Sequence, residues 1–232
     1  MNQLTKTEDF LAIIESAPVK LTIGTLEMLA AFSQPFAPSI MEAGYQGLIL
    51  GLKKYRQIKM KALLEGINSR REDDSPLDLG GIQTLELFQT IKAVEKTTSL
   101  EKIHFIGQIY SGYALIEEEE DIDVYEEMLG AVNSLSYRQI RMLIELKDIE
   151  DLHFPDGVSQ NPSNSRYYDQ FLACCHEHGI DNETVNSLLE SAKKSGFCRQ
   201  YVGGYTGLLG GNFVTSKYFS KVVGYARDII VK

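Results

Sequence analysis

The chain has 232 residues, of which 44% are hydrophobic and 24% are charged, and its formal net charge at pH 7 is −9. These proportions are those of a folded protein with one large domain or two small ones, which excludes disorder and a polytopic membrane protein as descriptions of the whole chain. The negative charge argues against a protein that coats nucleic acid with its entire surface, because phosphate groups are bound by basic surfaces.

The cysteine content and the start of the chain favour a reducing compartment. The three cysteines are odd in number, and Cys174 and Cys175 are adjacent, so a disulfide framework is not expected. The opening residues MNQLTKTEDF lack the basic and then apolar pattern of a secretory signal. We therefore predict a cytoplasmic protein, with peripheral contact to a membrane as an alternative.

Residues 21–52 form an unusually apolar segment, which Pro35 and Pro38 divide into parts shorter than the roughly 20 residues of a membrane-spanning helix. The basic run KKYRQIKMK follows at 53–61, and this order is typical of proteins that bind a membrane surface. Three interpretations remain open: a buried hairpin in the core, an oligomer interface, or an interfacial membrane segment. The residues predicted to contact a membrane or a second copy are Leu48, Leu50, Leu52, Lys53, Lys54 and Arg56.

The middle of the chain predicts four helices. Apolar residues recur at three-and-four spacing between positions 82 and 94, which indicates an amphipathic helix. A second helix is predicted behind a capping box at Thr98, a third from Val124 to Val132, and a fourth behind a capping box at Ser136. These helices predict a helical bundle that occupies residues 1–148.

The last third of the chain has a different pattern. Residues 149–165 are rich in Pro, Ser and Asn, which predicts a linker. Residues 166–232 then predict helix, turn, helix, strand, glycine-rich turn, strand and helix, with N-caps at Asp181 and Thr215. This order is typical of a winged helix, so the predicted fold class is mainly α, with a helical bundle followed by a small winged-helix-like α+β domain.

The winged-helix-like domain leaves two binding modes open. Residues 190–232 hold seven Lys or Arg against two acids, and the second helix of such a domain can enter the major groove of DNA. Winged helices also dock proteins, and the acids Glu183 and Glu190 on that helix oppose contact with phosphate. The residues predicted to contact a partner or nucleic acid are Lys193, Lys194, Arg199, Lys217 and Lys221.

No catalytic motif is present in the sequence. A nucleophile elbow, a zinc-protease helix, a phosphate-binding loop and a dinucleotide-binding fingerprint are all absent, so we predict no catalytic residues and no cofactor. The candidate zinc ligands are Cys174, Cys175, His176, His178 and Cys198, but structural zinc sites usually show two separated ligand pairs. A buried cysteine pair at a helix end is therefore preferred, and no metal is predicted.

Taken whole, the order of these parts resembles a loose group of uncharacterised prokaryotic proteins, some of them encoded near mobile elements or phage-defence genes. The features that carry the resemblance are an apolar stretch near the start with Pro18 and Gly24-Thr25, the basic helix, the helical middle and the winged-helix-like tail. The chain departs from the group in the long loop that begins at position 149. The resemblance implies no activity and no functional residues.

The sequence thus predicts a non-enzymatic interaction or regulatory protein. It is expected to self-associate through its apolar N-terminal helices, as a homo-oligomer or with a protein partner, and to dock or sense that partner through its tail. Two other classes remain open: a membrane-acting effector or toxin component, such as one in phage defence, and a DNA-binding regulator.

Overall fold

The computed structural model describes residues 38–69, 81–114, 122–155, 166–200 and 212–227. Within these ranges the backbone forms eight α-helices, one 3₁₀ turn and a sheet of two short strands, which confirms the prediction of a mainly helical protein. The helices are α1 (Pro38–Asn68), α2 (Gly81–Lys96), α3 (Leu100–Ala114), α4 (Ile122–Ser134), α5 (Tyr137–His153), α6 (Arg166–Glu177), α7 (Asn182–Ala192) and α8 (Lys217–Ala226). The 3₁₀ turn is Lys193–Ser195, and the strands are β1 (Cys198–Gln200) and β2 (Phe213–Thr215).

Backbone contacts divide the chain into two compact units, Met1–Lys53 and Lys54–Lys232. The described part of the first unit is the beginning of α1, and the second unit contains the other described elements. The sequence predicted a linker at 149–165, but α5 continues to its end at His153. The described C-terminal elements belong to the same compact unit as α2 to α5.

Two helices begin at the N-caps that the sequence predicted. The Ser136 hydroxyl accepts a hydrogen bond from the Gln139 N–H at 3.2 Å, and the Gln139 side chain accepts one from the Ser136 N–H at 2.8 Å. At the start of α7, the Asp181 carboxylate accepts a hydrogen bond from the Thr184 N–H at 2.8 Å. These hydrogen bonds confirm both predictions. The caps form because the first N–H groups of a helix have no partner inside it.

Two other predicted N-caps are wrong by one residue. Ser99, rather than Thr98, accepts the N–H at the start of α3, and Ser216, rather than Thr215, caps α8. In each pair two hydroxyl residues are adjacent, so local propensity hardly separates them. Between Thr215 and Ser216, a tertiary contact decides which residue caps α8, because the Thr215 hydroxyl donates to the carboxylate of Glu150.

Helix α3 lies at the centre of the second unit. Nearly every residue between Lys102 and Tyr113 is buried, and the helix packs against α2 and α8. It crosses α1 at a pair of glycines: a Cβ atom added to Gly66 would lie 2.1 Å from the carbonyl oxygen of His104, and one added to Gly107 would come within 2.5 Å of the α1 backbone. Only residues without a side chain allow the two backbones to approach so closely.

The two strands pair antiparallel, with Cys198 opposite Thr215. The glycine-rich turn predicted at 203–211 lies outside the described residues. Helix α5 holds the sheet through Glu150, which accepts a hydrogen bond from the Thr215 N–H at 2.8 Å. Helix α5 also holds the end of α8, because the Asp148 carboxylate forms a two-point ion pair with the Arg227 guanidinium. The distance between Arg227 Nη2 and Asp148 Oδ2 is 2.8 Å.

Candidate functional site

The beginning of α1 exposes large aliphatic side chains. Leu50 is 64% exposed and Leu52 is 41% exposed, whereas the side chain of Leu48 lies outside the described residues. In the second unit, the same helix also exposes Tyr55 and Ile58. Large apolar side chains exposed to water can mark a surface that contacts another molecule, so Leu50 and Leu52 are candidates for an interaction surface.

The basic residues of α1 do not all behave alike. Lys53 and Lys54 are exposed, but Arg56 forms an ion pair with Glu95 at the end of α2, with a distance of 3.0 Å between Nη2 and Oε1. Lys59 is buried and donates to two backbone carbonyls at the end of α2, including that of Glu95 at 2.9 Å. Burial lowers the pKa of Lys59, against the raising effect of Glu95. Arg56 and Lys59 therefore hold α2, whereas Lys53 and Lys54 are exposed.

The basic residues predicted at the C-terminal end are also divided. Lys193 pairs with Glu190 at 2.7 Å, and the ammonium of Lys221 lies 5.8 Å from the centre of the Tyr225 ring. The side chains of the other three predicted residues are exposed, and they are Lys194, Arg199 and Lys217. They come from neighbouring elements, because the N–H of the α8 N-cap donates to the carbonyl of Phe197, just before β1, at 2.9 Å.

A groove of about 440 Å³ opens between α5 and the α6–α7 turn. Its rim carries Arg138, Arg141 and Glu145 from α5, with Cys174 and His178 opposite. The arginines and Glu145 share a face of α5 because they are three and four residues apart. Arg138 and Arg141 are not among the site residues predicted from the sequence, although their spacing of three residues was an available signal.

The two adjacent cysteines line this groove as protonated thiols. The Cys174 thiol donates to the Glu145 carboxylate at 3.3 Å. Burial, together with the nearby negative charge of Glu145, raises the pKa of Cys174 to about 11, and burial raises that of Cys175 to about 11. Thiols with such pKa values are poor nucleophiles and poor metal ligands at neutral pH. In the described ranges, no group of three or more His, Cys, Asp or Glu side chains could hold a metal ion.

Comparison with known proteins supplies no relative for this chain. No protein-family model, curated protein or solved structure matches it. Among the helices of the described part, none combines the length and the hydropathy needed to cross a membrane.

Proposed function

We propose that this is a non-enzymatic interaction or regulatory protein that self-associates through the beginning of α1 and docks or senses a partner through its C-terminal segment. The observation that carries the proposal is the exposure of Leu50 and Leu52, at 64% and 41%. Full burial of a leucine side chain is worth roughly 1.5–3 kcal/mol. A second copy that covers both side chains would therefore gain free energy.

The order of elements supports a winged-helix-like tail as the docking part. Helices α6 and α7 precede β1, the strands pair antiparallel, and α8 follows β2, which is the order expected of that domain. Helix α7 would be its recognition helix, and it contains Glu183 and Glu190 but neither Lys nor Arg. Acidic side chains on this helix oppose contact with a phosphate backbone, which favours a protein partner over DNA.

A second candidate, a membrane-acting effector, is favoured by the position of two exposed lysines. Lys53 and Lys54 are exposed and directly follow the exposed Leu50 and Leu52. A helix that combines apolar and cationic side chains can lie in the surface of an anionic bilayer. The same leucines would then insert among lipids instead of contacting a second copy.

Light scattering of the purified chain tests self-association. We expect an oligomer that Leu50→Glu and Leu52→Glu, made singly, each convert to a monomer, because a carboxylate at a buried contact costs several kcal/mol. The matched control is Leu152→Glu on α5, where the leucine is 76% exposed; this variant should keep the oligomer. A wild-type chain that is monomeric at every concentration would contradict the proposal.

The same variants separate the other two classes. Flotation with anionic vesicles should leave the oligomer in solution; transfer of a monomer onto vesicles, lost in Leu50→Glu but kept in Leu152→Glu, would identify a membrane effector. Salt-sensitive DNA binding that is abolished when Lys193→Glu is combined with Lys217→Glu would identify a DNA regulator instead.

A further inference from the structure

The groove between α5 and the α6–α7 turn is lined by two arginines and one carboxylate, that of Glu145. Arg138 and Arg141 lie one helical turn apart on its rim, and both are exposed. Although the chain as a whole carries a net charge of −9, two cations at this concavity have no ionic partner among the described residues.

The floor of the groove is apolar, and the charge of Arg138 reaches it. Met142 and Cys175 are buried there, beside Ile180. Burial is the largest influence on the pKa of Cys175 and raises it, as do Cys174 and Glu145, whereas Arg138 lowers it. Arg138 therefore projects its positive field onto the apolar floor, where electrostatic attraction is stronger than in open water.

One helical turn beyond Arg141, the same rim of the groove has a different chemistry. The Glu145 carboxylate lies there and already accepts the Cys174 thiol at 3.3 Å. A carboxylate has further lone pairs for a second donor, and it repels a negative group. The anionic end of any ligand is therefore directed to the arginines, and a hydroxyl or an amine is directed to Glu145.

We infer that this groove binds a small organic anion, a phosphate monoester or a carboxylate on an aromatic or aliphatic body. The anionic group is held by Arg138 and Arg141, since guanidinium forks bind phosphate and carboxylate oxygens in pairs. The body lies on Met142 and Cys175. A volume of about 440 Å³ falls in the range of about 300–1,000 Å³ that is usual for small-molecule pockets.

Amide NMR of the full-length chain, titrated with phenyl phosphate, benzoate, inorganic phosphate and phenol, tests this inference. Phenyl phosphate or benzoate should bind saturably with a Kd on the order of 1 mM, as expected of a ligand of this size, and should shift signals of residues 137–145 and 174–180. Inorganic phosphate and phenol, which each lack one half of the ligand, should bind at least about tenfold more weakly. Saturable binding of neither phenyl phosphate nor benzoate, or equal binding of phenol, would overturn the inference.

Charge-matched variants show whether the arginines are responsible. Arg138→Gln and Arg141→Gln should each weaken binding about tenfold, as the loss of a charge-assisted hydrogen bond does. Lys96→Gln removes one exposed charge at the end of α2 and should change the affinity less than about twofold. An equal loss in this control would mean that only overall charge matters, which would overturn the site.

One further arm separates a soluble ligand from a lipid headgroup with the same chemistry. Vesicles that contain phosphatidic acid present a phosphate monoester on a surface. We expect free phenyl phosphate to shift the groove signals in the absence of these vesicles. Shifts seen only with vesicles would overturn it. Self-association by light scattering is measured independently, so failure of one proposal is distinguishable from failure of the other.

Discussion

Two helix contacts in the second compact unit differ in how closely the helices approach. Where α1 crosses α3, a Cβ atom on Gly66 would lie 2.1 Å from the carbonyl oxygen of His104, so the contact has no room for a methyl group. Between α5 and the α6–α7 turn, a groove of about 440 Å³ remains, lined by long side chains such as Arg138, Arg141 and Met142. Glycine closes one contact, and long side chains leave the other open to a ligand.

The largest expected effect comes from breaking the closed contact. Gly66→Ala should lower the free energy of unfolding by about 3 kcal/mol, because the added methyl group meets a backbone carbonyl that cannot rotate away. Urea denaturation measures this change. In the control Gly130→Ala on α4, a Cβ atom meets nothing within 4 Å, and alanine should raise the free energy of unfolding by roughly 0.5–1 kcal/mol. Similar results for both variants would show that α1 and α3 do not approach as described.

Near its C-terminal end, α5 makes a third kind of contact, in which a polar side chain, that of Glu150, is buried. Glu150 is 1% exposed, and burial raises its pKa from the usual 4.5 to about 7, against the lowering effects of the Thr215 hydrogen bonds and of Lys147. Asp151, the other nearby charge on α5, also raises this pKa and is itself paired with Lys147. The folded chain therefore holds a proton between pH 4.5 and about 7 that the unfolded chain releases.

The sign of the pH dependence follows from that difference. The stabilising contribution of Glu150 is complete below its usual pKa of 4.5 and is lost as the pH rises through about 7, with an upper bound of roughly 3 kcal/mol. Urea denaturation at about pH 5 and about pH 8 measures this loss. Glu150→Gln should flatten this pH dependence of the free energy of unfolding, and a variant that keeps the wild-type slope would show that Glu150 is not its source.

A smaller effect is expected from removal of the Glu150 side chain. At about pH 5, Glu150→Ala should lower the free energy of unfolding by about 2 kcal/mol, because the half-buried Thr215 N–H and hydroxyl both lose their acceptor. Glu145→Ala, on the same helix at the open groove, should cost about 0.5 kcal/mol or less. Equal costs would mean that the two ends of α5 do not differ in how firmly they are held.

The smallest effect is expected at the groove arginines. Arg138→Gln and Arg141→Gln should each change the free energy of unfolding by less than about 0.5 kcal/mol, since neither is engaged in an ion pair among the described residues. Arg227→Gln, which breaks the two-point pair with the half-exposed Asp148, should cost about 1 kcal/mol. A groove arginine that costs more than Arg227 would have a structural role.

Local signals in the sequence were sufficient for much of the secondary structure. The caps at Ser136 and Asp181 were predicted because a capping side chain and its N–H partner lie within three residues of each other. The cap at Thr215 was wrong because its hydroxyl is bound by Glu150, 65 residues away. The residues of the candidate surface on α1 were named from composition, but the engagement of Arg56 by α2 could not be read from it.

The sequence by itself determined the mainly helical character of the described chain and several helix ends, because apolar periodicity and capping act over a few neighbouring residues. Only the tertiary structure decided which charged groups are held inside and which remain available. Glu150 and Lys59 look in the sequence like surface residues, yet both are buried, whereas Arg138 and Arg141 stay at an open groove. Whether a charged side chain is buried or paired depends on elements far apart in the chain, and no local sequence pattern shows which of these elements come into contact.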